Sequence, residues 1–139
     1  MDKKDERIIF ELLKNARISF TELAKKLGIT ETAVRKRVKK LEEEGVILGY
    51  TALIEPSRAG FGAVAVVGVD TKPDALLGVF DKIRRQVGVR YAALSSGDHM
   101  IVFEIWCRNQ NELSRAIGKI ERMDGVVRVC PALLLRRIA

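Results

Sequence analysis

The chain has 139 residues, 47% of them hydrophobic and 31% charged, which suits one ordinary domain or two small ones and excludes a disordered composition. Its longest apolar runs, such as Ala63 to Val69 and Ala132 to Leu135, fall far short of the roughly 18 residues a membrane helix needs. The opening Met1-Asp2-Lys3-Lys4-Asp5-Glu6-Arg7 lacks the apolar core of a secretory signal, so a cytoplasmic protein with no membrane partner is expected.

Two cysteines without a CxxC pair, and one histidine, His99, leave no disulfide framework and no Cys- or multi-His metal cage to build. No cofactor is expected. Lys and Arg number 25 against 18 Asp and Glu, a net charge of +7. The excess is spread along the chain: residues 1–50 carry 12 basic and 9 acidic side chains, residues 51–139 carry 13 and 9. What stands out is local. Arg35-Lys36-Arg37-Val38-Lys39-Lys40 places five cations in six positions, either a solvated helix face or a polyanion-binding one.

The first helix is predicted over Lys3 to Lys14, with Ile8, Ile9, Leu12 and Leu13 as its apolar stripe. Phe10 falls off that stripe, either exposed or covered by another part of the protein. A second helix starts after Ser19, where Ser19-Phe20-Thr21-Glu22 reads as a capping box. Leu23, Ala24 and Leu27 face inward, and Gly28 ends the helix. Only Ile29 separates Gly28 from Thr30, the N-cap of a third helix over Glu31 to Glu44. Val34, Val38 and Leu41 form its inner face. The outer face holds Thr32, Lys36, Lys39 and Lys40, flanked by Ala33 and Arg35. Gly45 follows, then a two-strand signal, Val46 to Tyr50 and Thr51 to Ile54, that suits a wing.

Two helices joined by a tight glycine turn, the second with cations outward, form a helix-turn-helix pattern. A generic three-helix bundle with a solvated basic face is the alternative. It gives no reason for a capping box, a glycine turn, a second cap and a basic face to follow in that order. A helix fits the major groove of double-stranded DNA, lysine and arginine neutralise phosphates, and short residues near its start reach base edges. The candidate DNA contacts are Phe20, Thr21 and Thr30 at the helix starts and Thr32 and Ala33 in the first turn. Arg35, Lys36, Lys39 and Lys40 join them. Arg37 sits beside the buried stripe, so it either pairs with a nearby carboxylate or grips a phosphate at the groove edge.

Residues 55–62 read as a Gly- and Pro-containing linker. A strand over Ala63 to Asp70 follows. A helix then opens at Thr71-Lys72-Pro73-Asp74 and runs to about Val87, with Leu76, Leu77, Phe80, Ile83 and Val87 inward. A strand covers Val89 to Ser95, Ser96-Gly97-Asp98 turns the chain, and another strand covers His99 to Cys107. A helix capped by Asn109 or Asn111 runs to about Met123, and a last strand covers Val126 to about Arg136. The β-α-β-β-α-β order is the ferredoxin-like split unit, and with the N-terminal domain it predicts an α+β protein. The domains expected are 1–54, a winged helix-turn-helix, and 63–139, ferredoxin-like.

The first and third strands of this unit are apolar on both faces, although helices cover only one. The open face is expected on another copy of the chain, with Val66 or Val102 in a homodimer interface; burial by the N-terminal domain is the alternative. In the strand order 4-1-3-2, Cys107 and Cys130 lie about two strand spacings apart, near 10 Å, too far to bridge.

The order of parts resembles the leucine-responsive regulatory protein/AsnC family, as do the phrases Asp5-Glu-Arg-Ile-Ile9, Asn15-Ala-Arg-Ile-Ser19, Leu27-Gly-Ile-Thr30, Arg37-Val-Lys-Lys-Leu-Glu42 and Gly45-Val-Ile-Leu-Gly-Tyr-Thr-Ala52. The resemblance implies a transcription regulator with an N-terminal DNA-binding domain. It also implies a C-terminal domain that dimerises, often assembles further, as in octamers, and senses amino acids. The implied effector loop is Ser96, Gly97, Asp98, His99 and Met100. Many members carry an aspartate where this chain has Met100. An amino-acid ammonium needs an acceptor, which Asp98 can supply; the same residues also suit a plain hairpin turn. Some haem-biosynthesis decarboxylases share this architecture, but no nucleophile–base pair or metal spacing is present here, so a regulator rather than an enzyme is expected. A stand-alone effector-binding module is disfavoured by the complete helix-turn-helix.

Overall fold

The computed structural model describes residues 1–135. The chain divides into two compact units, Met1–Leu53 and a second from Ile54 onward, each with its own apolar core.

The first unit holds three helices, α1 (Lys3–Lys14), α2 (Phe20–Leu27) and α3 (Glu31–Glu43). Ile8, Ile18, Leu23, Leu27, Val34, Val38 and Leu41 are buried together between them. Within the stripe expected for α1, Ile8 is buried, whereas Leu13 is exposed, because the helix turns this last apolar residue away from α2 and α3. Phe10 is exposed as well, at 61%. The complete capping box lies at the start of α1. The amides of Lys4 and Asp5 donate to Asp2 Oδ1 at 2.9 Å, and the Asp2 amide donates to Asp5 Oδ2 at 3.0 Å. At Ser19 only half of the expected box forms: the Glu22 amide donates to Ser19 Oγ, and the Glu22 carboxylate gives no return bond. An exposed Glu22 is solvated by water at little cost.

The wing strands expected over 46–54 are absent among the described residues. Instead the amides of Val46 and Ile47 both donate to the Leu41 carbonyl, at 2.9 and 3.0 Å, and close the end of α3. Ile47 packs on the core, but Val46, Leu48 and Leu53 are exposed. A two-stranded ribbon with no surface to bury is marginal in water.

The second unit is the expected ferredoxin-like α+β fold. Strands β1 (Ala63–Thr71), β2 (Val89–Leu94), β3 (Ile101–Cys107) and β4 (Val126–Leu133) form one antiparallel sheet in the order β2-β3-β1-β4. Helices α4 (Leu76–Arg84) and α5 (Gln110–Glu121) connect them, and the Asn109 side chain caps α5. Residue alternation sorts the faces. Ala65, Val67, Val69, Ile101, Phe103 and Ile105 are buried with Val79 and Ile83 of α4 and Leu113, Ile117 and Ile120 of α5. The helix after β1 is shorter than expected. Pro73–Ala75 forms a 3-10 turn, and α4 ends at Arg84. Leu77 and Val87, expected inward, are 69% and 92% exposed, and Val79 takes the inward place. The 3-10 turn rotates the helix phase, and Val87 lies beyond its end. β4 ends at Leu133, and Arg136 lies outside the described residues.

The segment expected as a linker has structure of its own. Pro56–Ala59 forms a 3-10 turn. Phe61 packs its ring 5.4 Å from that of Trp106, and the Arg108 guanidinium lies over Phe61 at 4.3 Å. Both cysteines are free. β1 separates their strands, and register places Cys107 opposite Ala63 on the helix-covered side and Cys130 opposite Gly68 on the open side.

Candidate nucleic-acid interface

The geometry of α2 and α3 follows from their caps. The Ala33 amide donates to Thr30 Oγ1 at 3.1 Å, so Thr30 is occupied in starting α3. Gly28 ends α2 at φ +66°, a left-handed conformation that favours glycine. The two helices are therefore separated by only Gly28, Ile29 and Thr30, and neither end is free to slide. α2 is in turn fixed to α1: Lys26 Nζ donates to Glu11 Oε2 at 2.9 Å, and Arg7 Nη2 to the Lys26 carbonyl at 3.0 Å. The Glu11 carboxyl is held below its usual range chiefly by the Lys26 hydrogen bond.

Val34, Val38 and Leu41 take the inner face of α3, leaving Thr32, Lys36, Lys39 and Lys40 exposed outward. Ala33 is half-buried. Lys39 and Lys40 pair with Glu43 and Glu44, at 3.8 and 3.7 Å. These exposed pairs are worth little and exchange readily for other anions. At the start of α2, the Thr21 hydroxyl donates to Glu31 Oε1, and Phe20 lies beneath the Arg35 guanidinium, 5.0 Å from ring centroid to Cζ.

Arg37 faces the other way. Its Nη1 lies 2.7 Å from Asp2 Oδ2 and 2.8 Å from Asp5 Oδ1. The Asp5 amide and then the Arg37 guanidinium hold the Asp2 carboxyl down at about 2. The Asp2 amide, ahead of Arg37, lowers Asp5 despite its burial. Arg37 thus occupies the first of its two expected roles, pairing with carboxylates.

In the second unit, Ser96, Gly97 and Asp98 form the exposed tip of the β2–β3 connection. The Ser95 amide donates to the Met100 carbonyl, and the Gly97 amide to Ser95 Oγ. His99 and Met100 are fixed to β1 through Asp70. His99 Nδ1 lies 3.1 Å from Asp70 Oδ2, the Met100 amide donates to Asp70 Oδ1 at 3.2 Å, and Arg128 Nε of β4 donates to Asp70 Oδ2 at 2.9 Å. Burial pushes the Asp70 carboxyl up, but the His99, Arg128 and Met100 bonds outweigh it and lower it overall. The His99 ring lies against Gly68 so closely that a Cβ there would meet its Cδ2 at 2.2 Å. Asp98 makes no hydrogen bond or ion pair among the described residues, although its charge acts on Arg128. Val66 and Val102 lie on the sheet face that no helix of the unit covers, opposite Glu104 and Gly68 respectively. That face is mixed, since Asp70 and Glu104 share it with the valines.

Residues 1–47 match the family model described as a winged helix-turn-helix DNA-binding domain. The HTH-type transcriptional regulator LrpA of Pyrococcus horikoshii is 50% identical over 139 residues, covering 99% of both chains. The chain belongs to the Lrp/AsnC family of transcriptional regulators. Escherichia coli AsnC is 25% identical in sequence, with a TM-score of 0.77 over 99% of this chain and 93% of that one. The leucine response regulatory protein of Mycobacterium tuberculosis is also 25% identical, with a TM-score of 0.81 over 100% and 95%. This Lrp/AsnC protein is thus a DNA-binding regulator, and DNA is its partner. Among its described residues no helix is long and apolar enough to cross a membrane.

Sequence reasoning missed Asp2 and Asp5 as the partners of Arg37, and Gly68, Asp70 and Arg128 as the holders of the 95–100 loop. The capping box of Asp2 and Asp5 was detectable, because an Asp at position 2 followed by an acid three residues later is its signal, but its pairing with Arg37 was not. Nor were the holders of the loop, because nothing local to the loop names residues 30 positions away.

Proposed function

We propose that α3 is the recognition helix of this regulator and enters the major groove of its operator. Thr32 faces base edges, and Lys36, Lys39 and Lys40 face phosphates. The observation that carries this reading is Lys36, outward on α3 and without an ion partner among the described residues, on a helix whose start, like that of α2, is locked by a cap. Residues 1–54 act as the DNA-binding domain, and residues 63–139 as the dimerisation and effector domain. Relatives named as transcriptional regulators support a non-enzymatic role, and the DNA-binding role favours the cytoplasm.

The homodimer is proposed through the uncovered sheet face around Val66 and Val102. A two-fold axis there would relate two recognition helices and match a roughly palindromic operator, with half-site centres about 34 Å apart or a multiple of it. The proposed effector is an amino acid at the 96–100 loop, with the Asp98 carboxylate accepting its ammonium. Met100 supplies no charge there. The name of the mycobacterial relative, a leucine response regulatory protein, supports that class of ligand.

The test selects bound duplexes from a random pool and then titrates the best one with salt. Lys36→Ala is expected to weaken binding on all sequences and to lower the salt slope by about one unit. Unchanged affinity and slope would remove α3 from the interface.

A further inference from the structure

Lys39 with Glu43 and Lys40 with Glu44 are opposite charges four residues apart on α3, and both pairs form. Glu31 and Arg35 have the same spacing in the more favourable order, acid first, yet they do not meet. Thr21 takes the Glu31 carboxylate, Phe20 carries the Arg35 guanidinium, and Arg35 has no hydrogen bond or ion pair among the described residues.

From these contacts we infer that Thr21 and Phe20 are positioning residues, which keep Arg35 clear of Glu31 so that it can neutralise a DNA phosphate at the groove edge. The inference rests on the reading of α3 as the recognition helix. Stacking on a ring fixes a guanidinium while leaving all five of its N–H donors unused. A guanidinium already paired with a carboxylate of its own helix gains somewhat less on reaching a phosphate, because it must first give up that partner. Arg35 is one residue from Lys36, about 100° around the helix from the centre of the outward face. That flank looks toward the phosphate strand rather than the base edges, and contacts there position the protein without reading sequence. Thr21 removes Glu31 by offering it a hydroxyl donor from another helix.

The test uses the full chain with its selected operator duplex and an unrelated duplex of equal length, over a salt series. Circular dichroism checks the fold of each variant. Thr21→Val keeps the shape of the side chain but removes the donor, so Glu31 is free to fold back on Arg35. Binding should weaken about twofold on both duplexes, and the salt slope should fall by less than one unit. Thr21→Ser should retain wild-type behaviour, and adding Glu31→Gln to Thr21→Val should restore affinity and slope. Rescue by a change at a second residue is not expected if Thr21 only supports the helix. A Thr21→Val protein that binds like wild type, or a double variant as weak as the single, overturns the inference. So does altered base preference at an unchanged slope. With Lys36→Ala in parallel, weakened binding there beside a wild-type Thr21→Val sinks this inference alone, whereas an unaffected Lys36→Ala sinks the recognition-helix reading and the inference with it.

Discussion

Arg37 and Asp5 join α3 to the start of α1, Nη1 to Oδ1 at 2.8 Å. The same nitrogen also reaches Asp2 at 2.7 Å, and Asp2 caps α1. One arginine therefore ties the helix proposed to enter the groove to the first hydrogen-bonded turn of the chain.

Acid should loosen this tie. Both carboxyls are lowered from 3.8 in the folded protein, Asp2 to about 2. Groups with depressed pKa values contribute stability above their unfolded values and lose it as pH falls through the folded ones. The expected loss therefore sets in as pH falls through about 4 and is complete only below about 2. Thermal unfolding of the wild type and Arg37→Met across that range is the measurement. The variant should melt a few degrees lower at pH 7 and show a flatter acid dependence. Parallel pH curves for the two proteins would show that the pairs contribute nothing.

The cations of α3 should not be equal. Lys36→Ala exposes DNA to the loss of a free cation. Lys39 and Lys40 must first leave Glu43 and Glu44, so removing both should lower the salt slope by less than two units, that is, less than about one per phosphate contact. Thr32→Ala should leave the slope alone and change base preference. Equal slopes for Lys36→Ala and for either single variant, Lys39→Ala or Lys40→Ala, would mean that the intrahelical pairs do not compete with phosphate.

Legibility from sequence followed the range of the interaction that fixes each element. The helix start at Thr30 and the end at Gly28 were readable, and the start of α5 was narrowed to Asn109 or Asn111, because caps act within four residues. The ferredoxin-like order and both free cysteines followed from strand periodicity and topology. Leu13, Leu77 and Val87 were misplaced, because each sits at a helix end or after a 3-10 turn, where a 3.6-residue period no longer holds. The two strands expected over 46–54 are not formed, although the domain is of the winged class, because a strand signal describes side chains and not whether a partner surface exists. The role of Arg37 stayed open in the sequence because its partners lie 32 and 35 residues away.

Gly68→Ala should disturb the 96–100 loop without touching it. The new Cβ would fall on the His99 ring, so the ring must leave and the Asp70 bond must break. The expected cost is about 1–3 kcal/mol, as for other overpacked sites. His99 ring signals in nuclear magnetic resonance should shift, together with the Met100 amide. Unmoved signals in a folded variant would show that the loop holds its shape without Asp70.

The proposed dimer predicts that a charge on the uncovered sheet face breaks it. Val66→Asp and Val102→Asp, each followed by sedimentation and operator binding, should give at least one folded monomer or unfolded chain. DNA affinity should fall steeply with it, since one half-site supplies half the contacts. Two folded dimers with full operator affinity would move the assembly to another surface.

The bonds at Asp70 also set the size of the smallest piece that can be transplanted. Residues 95–100 grafted alone onto a related scaffold would arrive without the carboxylate that receives His99 and Met100, without the Arg128 that shares it, and without the bare backbone at Gly68 on which the imidazole rests. A chimera meant to move this loop intact between two such regulators therefore has to carry positions 68, 70 and 128 along with it, three sites on two other strands that inherit together or not at all.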